Sequence, residues 1–146
     1  MKVPQISVFI ENRKGRLASV CRVLAEGKVN LIALSLADTA DFGILRLITS
    51  DSTRACGLLR DEGYTVVEND VIAVEVEDRP GGLADLLEGL DEADVNVEYM
   101  YAFSEVNTGR APLILRFEDA ERAIAVLTEK GVPVLSKVEL FGDGAT

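Results

Sequence analysis

Two stretches of this chain carry the same chemistry-bearing pattern. Glu11-Asn12-Arg13-Lys14-Gly15-Arg16-Leu17-Ala18 reads against Glu77-Asp78-Arg79-Pro80-Gly81-Gly82-Leu83-Ala84, 66 residues further on. In each, a glycine sits where an apolar-alternating segment gives way to a helical one. Gly15 and Gly81 permit a backbone turn that a Cβ would oppose, and they bring main-chain N–H groups to the open start of a helix. Such a place holds carboxylate or phosphate, through unpaired donors and the positive end of the helix dipole. The plain alternative is a tight strand-to-helix connection in which the glycines, and Pro80, serve only the turn. A second pair is Asn30 and Asn96, again 66 apart, each opening an apolar segment. The amide can accept from an ammonium and donate to a carboxylate, which suits a zwitterion. Equally, an asparagine there can cap a helix exit or adopt a left-handed turn.

What the chain lacks is also informative. It has no histidine, which removes imidazole bases, His-ligated metals and Ser-His or Cys-His nucleophiles. Its net charge of −10 gives no general electrostatic footprint for nucleic acid or an anionic membrane. Cys21 and Cys56 fit no short metal or redox spacing and fall on the apolar side of helical stripes, as small buried hydrophobes do. No apolar run approaches 18 residues and no secretory h-region opens the chain, so a cytoplasmic protein with reduced thiols is expected. No metal and no cofactor is expected.

The elements that must position these residues follow from periodicity. Ile6, Val8 and Ile10 alternate, as do Ile72, Val74 and Val76, which is a strand signal. Leu17, Val20, Cys21 and Leu24 recur at helical spacing, and so do Leu83, Leu86, Leu87 and Leu90. A strand pair follows in each copy, Asn30 to Asp38 with Gly43 to Thr49, and Asn96 to Ser104 with Ala111 to Phe117. A second helix then carries Ala55, Cys56 and Leu59, or Ala123, Ile124 and Leu127, at an offset of 68. The two extra residues fall where 39–43 faces 105–110, in a hairpin loop. Asp51 and Asp119 suit helix N-termini, Gly63 and Gly131 helix stops. Short strands near Thr65 to Glu68 and Val134 to Leu140 close each copy, and 142–146 should fray.

The reading is therefore α+β: two ferredoxin-like βαββαβ units packed together, residues 1–69 and 70–141. Units of about 70 residues are near the lower limit of independent stability. The segment Leu31 to Ala37 is apolar on both faces, so a sister unit or a second chain should cover what the helices do not.

The stretch Val71 to Ala84, with Asp78, Pro80, Gly81 and Leu83, followed by Val95-Asn96-Val97, resembles the ACT domain, a small regulatory module that binds amino acids. The first copy matches at Gly15, Leu17 and Asn30 but has Asn12 for the acid and Lys14 for the proline. The resemblance covers residues 3 to 141. It implies an ACT-like tandem that is a regulatory protein rather than an enzyme, a free α-amino acid as ligand, a homodimer and a possible partner enzyme. It implies ligand sites at interfaces between modules, with the turn of one module and the start of strand two of its neighbour contributing. The positions implied are Asn12, Gly15, Arg16, Leu17, Asn30 and Leu31, and Asp78, Gly81, Gly82, Leu83, Asn96 and Val97. Two other readings stay open: a dimerisation module without ligand, and an acylphosphatase-like enzyme using Arg79, Gly81 and Asn96.

Overall fold

The computed structural model describes residues 1–38, 40–102 and 110–136, with Arg110 described in its backbone only. The order of elements is β1 (Val3–Glu11), α1 (Arg16–Glu26), β2 (Leu31–Asp38), β3 (Phe42–Thr49), α2 (Ser52–Asp61), β4 (Thr65–Glu77), α3 (Gly82–Glu92), β5 (Val97–Ala102), β6 (Arg110–Phe117), α4 (Ala120–Glu129) and β7 (Val134–Leu135). The chain forms two compact units, one of Pro4–Asn69 and one of Asp70 onward joined by Met1–Val3. Lys2 pairs there with Glu121 at 2.6 Å. Each unit runs β-α-β-β-α-β, with β4 closing the first and opening the second.

In the first unit β3 lies between β1 and β2, antiparallel to both. In the second the strand order is β7-β4-β6-β5, all antiparallel. Alternate residues face the helices, and the cores follow. Ile6, Val8, Leu45 and Leu47 meet Val20, Leu24, Ala55 and Leu59 in the first unit. Ile72, Val74, Leu113 and Leu115 meet Leu86, Leu90, Ala123 and Leu127 in the second. The two helices of each unit touch one another, α1 with α2 and α3 with α4.

The departures from expectation lie at ends and edges. The expected short strand from Thr65 and the strand through Ile72 are one 13-residue strand, β4. Nothing between them, Asn69 and Asp70 included, forces a turn. Asn30 and Asn96 stand just before β2 and β5 rather than in them. Phe42 and Gly43 already belong to β3, so the first hairpin is tighter than the 39–43 loop suggests. The second hairpin's insertion, the expected strand beyond Ser136 and the tail lie outside the described residues. Leu17 is 38% exposed and Cys21 half-buried, because they flank the stripe on α1 whereas Val20 and Leu24 face the sheet squarely. On β2, Leu34 and Leu36 pair with the core residues Leu47 and Leu45, so they share the helix-covered face. They are nonetheless 53% and 48% exposed, since β2 is the edge strand and the helix layer does not extend over it.

Cys56 is buried on α2, where its Sγ donates to Glu68 at 3.6 Å. Burial, and then the Glu68 carboxylate, push its thiol above the ordinary range. The unfolded chain therefore loses this proton first as pH rises. Stability should fall from about pH 8.5 upward, and Cys56→Ala should flatten that part of a urea-melt pH profile. An unchanged profile would refute the assignment.

Candidate functional site

The two strand-to-helix turns share one backbone. Gly15 and Gly81 stand at the N-caps of α1 and α3 in the left-handed region, with φ of 90° and 87°. The N–H of Arg16 closes onto the Arg13 carbonyl at 3.2 Å, and that of Gly82 onto the Arg79 carbonyl at 3.0 Å. Ser19 and Asp85 then donate to the carbonyls of Gly15 and Gly81. Neither helix has a side-chain cap. Helices α2 and α4 differ, for Asp51 and Asp119 cap them by accepting from the N–H of Arg54 and Arg122, at 3.1 Å each. The N–H groups of Leu17 and Ala18, and of Leu83 and Ala84, thus belong to uncapped first turns, where the dipole favours an anion. Asn12 donates its N–H to the Asp41 carbonyl, which anchors the first turn to the start of β3.

Side chains make the two turns unlike. The first has Arg13, Lys14 and Arg16 against Glu11, whose carboxyl is held below its ordinary range by the hydrogen bond from Arg13 and the nearby Arg16. The second has Arg79 against Glu77, Asp78 and Asp85. Glu77 and Asp85 both accept from the Arg79 guanidinium, which holds its charge more firmly as a result. Gly82 is required by shape as well, because a Cβ there would stand 2.2 Å from the Glu77 carbonyl oxygen. The first turn admits Arg16 at the corresponding position.

Leu31 and Val97 are half-buried at the starts of β2 and β5, directly after the two asparagines. Those asparagines lie at the other end of each unit from its turn. Glu11 pairs near Phe42 at one end of β3, and Leu31 pairs with Thr49 at the other. Glu77 and Val97 likewise stand opposite the two ends of β6. An eight-residue strand spans roughly 24 Å. The turn residues Asn12, Gly15, Arg16 and Leu17 are thus brought together, and so are Asp78, Gly81, Gly82 and Leu83, but neither set meets the asparagine of its own unit. The acylphosphatase reading required Arg79 and Asn96 in one place, and the second unit keeps them apart.

Both asparagines are exposed, and no side-chain hydrogen bond of either amide is found among the described residues. The Asn30 backbone is locked instead, its N–H to Ser50 Oγ at 2.9 Å and its carbonyl to the Ser50 N–H at 3.0 Å. Neither asparagine caps the preceding helix. Lys28 and Asp94 take the left-handed position, with φ of 60° and 59°, the only non-glycine residues at positive φ among those described. Val29 and Val95 then donate back to Leu24 and Leu90, completing a Schellman exit. Arginines brace both exits: Arg54 Nε donates to the Gly27 carbonyl at 2.8 Å, and Arg122 Nη2 to the Ala93 carbonyl at 2.6 Å. Neither arginine stands out in the sequence, although Asp51 and Arg54 recur as Asp119 and Arg122. A left-handed lysine or aspartate costs about 1–2 kcal/mol relative to glycine. Lys28→Gly and Asp94→Gly should therefore each stabilise the protein by about 1 kcal/mol in urea unfolding, and a loss of stability would contradict the geometry.

A cavity of about 320 Å³ opens beside the second turn, and a more polar one of about 520 Å³ beside the first. A third, about 330 Å³, lies beside Asn96 and Arg122. No described helix is long and apolar enough to cross a membrane.

Comparison with known proteins agrees with this architecture. The chain is 40% identical to protein BT0572 from Bacteroides thetaiotaomicron, whose crystal structure it matches over 97% of both chains with a TM-score of 0.90. The regulatory subunit of aspartate kinase from Thermus thermophilus, in a ligand-free form, shares the fold at 19% identity, with a TM-score of 0.62 over 86% of this chain and 91% of that one. The corresponding subunit from Thermus flavus matches at 20% identity and a TM-score of 0.63, over 86% and 90%. No curated protein sequence matches. The family model for an ACT domain pair matches residues 1–141, and the chain belongs to the ACT domain family as a tandem pair of such domains.

Proposed function

We propose that this protein is a cytoplasmic regulatory subunit that binds a free α-amino acid and acts on a partner enzyme. The observation that carries the reading is the duplicated contrast between helix starts. Helices α2 and α4 are closed by aspartate caps, whereas α1 and α3 begin on left-handed glycines with first-turn amides left for an anion. A ligand carboxylate suits those amides, and an exposed asparagine amide suits its ammonium group. Because each unit holds its turn and its asparagine at opposite ends, one ligand uses both only when two different modules supply them. The exposed apolar edge of β2, with Leu34 and Leu36, supports a homodimer. Solved structures of similar fold are regulatory subunits of aspartate kinase, which supports a regulatory role.

The test is a thermal-shift screen with the twenty amino acids, beside light scattering at micromolar concentration. One or more amino acids should raise Tm, since a ligand specific for the folded state adds about 2.7 kcal/mol at a hundredfold excess over Kd. Asn30→Ala or Asn96→Ala should weaken binding by about 1–3 kcal/mol. No shift at millimolar concentration would overturn the amino-acid reading, and a monomer would overturn the assembly.

A further inference from the structure

The two cavities beside the turns occupy corresponding places, yet their linings are of opposite kinds. In the first unit the cavity of about 520 Å³ lies at the end of β1. Phe9 and Phe42 bound it from the sheet face that also bears Glu11, and both residues are open to a ligand, at 41% and 57% exposed. Tyr64 adds a third ring, packed on the core with its hydroxyl donating to Ser19 Oγ at 2.8 Å. Two charged groups of opposite sign line the cavity with these rings. Arg16 makes only a loose ion pair, 3.9 Å from a Glu11 carboxylate that already serves Arg13 at 2.9 Å. Glu62, exposed at the end of α2, has no ion pair among the described residues.

In the second unit Glu75, Gly82, Asp85, Lys130 and Val132 take the places of Phe9, Arg16, Ser19, Glu62 and Tyr64. All five line the smaller cavity there. Two of the rings are gone, the cation at position 16 has no counterpart, and the acid at the end of the second helix has become a base. Arg79, the cation left at that turn, is held by Glu77 and Asp85.

We infer that the first cavity takes an α-amino acid with an aromatic side chain, that Phe9 is a specificity-determining residue there, and that the second cavity does not take this ligand. The inference rests on the amino-acid binding proposed above and names the ligand class. Arg16 suits the carboxylate, as a planar fork of donors. Glu62 shares the ammonium group with the asparagine that another module brings. The ligand's ring then lies against Phe9 and Phe42, which favour an aromatic partner beyond the area that they cover. The volume lies within the range of small-molecule cavities, roughly 300–1,000 Å³. In the second cavity the same ligand would lay its ring on Glu75, its ammonium group beside Lys130, and its carboxylate near Asp85, where Gly82 offers no cation. Those placements set like charges together or strip a charge of its water.

The experiment is calorimetric titration of the full chain with phenylalanine, leucine and alanine, using wild type, Phe9→Glu and Phe9→Leu. Phe9→Glu copies the second unit, and Phe9→Leu keeps an apolar side chain on β1 as a guard against a variant that does not fold. Phenylalanine should bind wild type at one molecule per chain, at least tenfold tighter than alanine, since burying a ring is worth roughly ten- to a hundredfold. It should bind about two- to tenfold tighter than leucine, the margin that ring-on-ring contact adds. Phe9→Glu should weaken phenylalanine binding by tenfold or more. Phe9→Leu should weaken it by about two- to fivefold and leave leucine within twofold of wild type. The chain has no tryptophan, so added tryptophan reports its own surroundings: its emission should shift to the blue with wild type and not with Phe9→Glu. Alanine or leucine binding as tightly as phenylalanine would overturn the inference while leaving the amino-acid reading intact. Two phenylalanines per chain, or an unchanged affinity in Phe9→Glu, would do the same. Binding of no amino acid at all would overturn that reading and the ligand class with it.

Discussion

Gly82→Val is expected to destabilise the protein by about 2–3 kcal/mol in urea unfolding, at the upper part of what overpacking costs. The added Cβ would lie 2.2 Å from the Glu77 carbonyl oxygen, a backbone atom at the end of β4 that cannot swing aside as a side chain can. Either β4 retreats or the turn opens, and either movement breaks the Gly82 N–H bond to the Arg79 carbonyl. The control is Arg16→Val at the corresponding place in the first unit, where a Cβ is already accommodated and the change should stay within about 0.5 kcal/mol. Equal losses from the two substitutions would mean that the turns are shaped alike. Lys14→Ala with Arg16→Ala supplies the complementary test on binding. The cation-rich first turn should lose ligand affinity in a salt-dependent way, and the second turn should be indifferent to such screening.

Leu59→Ala and Leu127→Ala are expected to cost about 2–5 kcal/mol each, because both side chains are fully buried and truncation leaves a cavity as well as lost apolar contact. The residues occupy the same place on α2 and α4, beneath Ala55 and Ala123. The costs should be similar, since both leucines are 0% exposed and stand at corresponding places in the two cores. A loss below about 1 kcal/mol at either position would be inconsistent with these cores.

How much of this could be read from residue order alone depends on the range over which each feature is decided. The duplication, the helical stripes at Val20 and Leu24 or Leu86 and Leu90, and the aspartate caps at 51 and 119 are local. Each depends on residues within one or two turns, so periodicity and capping chemistry reveal them. The left-handed glycines at 63 and 131 were legible for the same reason, but Lys28 and Asp94 were not. A lysine gives no sign of positive φ, and an aspartate gives only a weak one. That conformation is imposed by the strand that must follow, and in each unit an arginine on the second helix braces the exit.

Burial at the edges was equally hidden. The doubly apolar composition of Leu31 to Ala37 is plain, but that Leu34 and Leu36 stay exposed depends on β2 ending its sheet beyond the reach of the helices. The site divides along the same line. Residue types and spacing marked both turns and both asparagines as chemistry-bearing, since glycine flexibility and amide hydrogen bonding are properties of single residues. That a turn and its own asparagine stand at opposite ends of a unit follows from strand direction and pairing. Likewise, that Tyr64 packs on the first core while its hydroxyl reaches Ser19 depends on a helix and a connection far apart in the chain. Packing of that kind is set by side-chain volumes meeting from distant parts of the chain, and no local pattern encodes it.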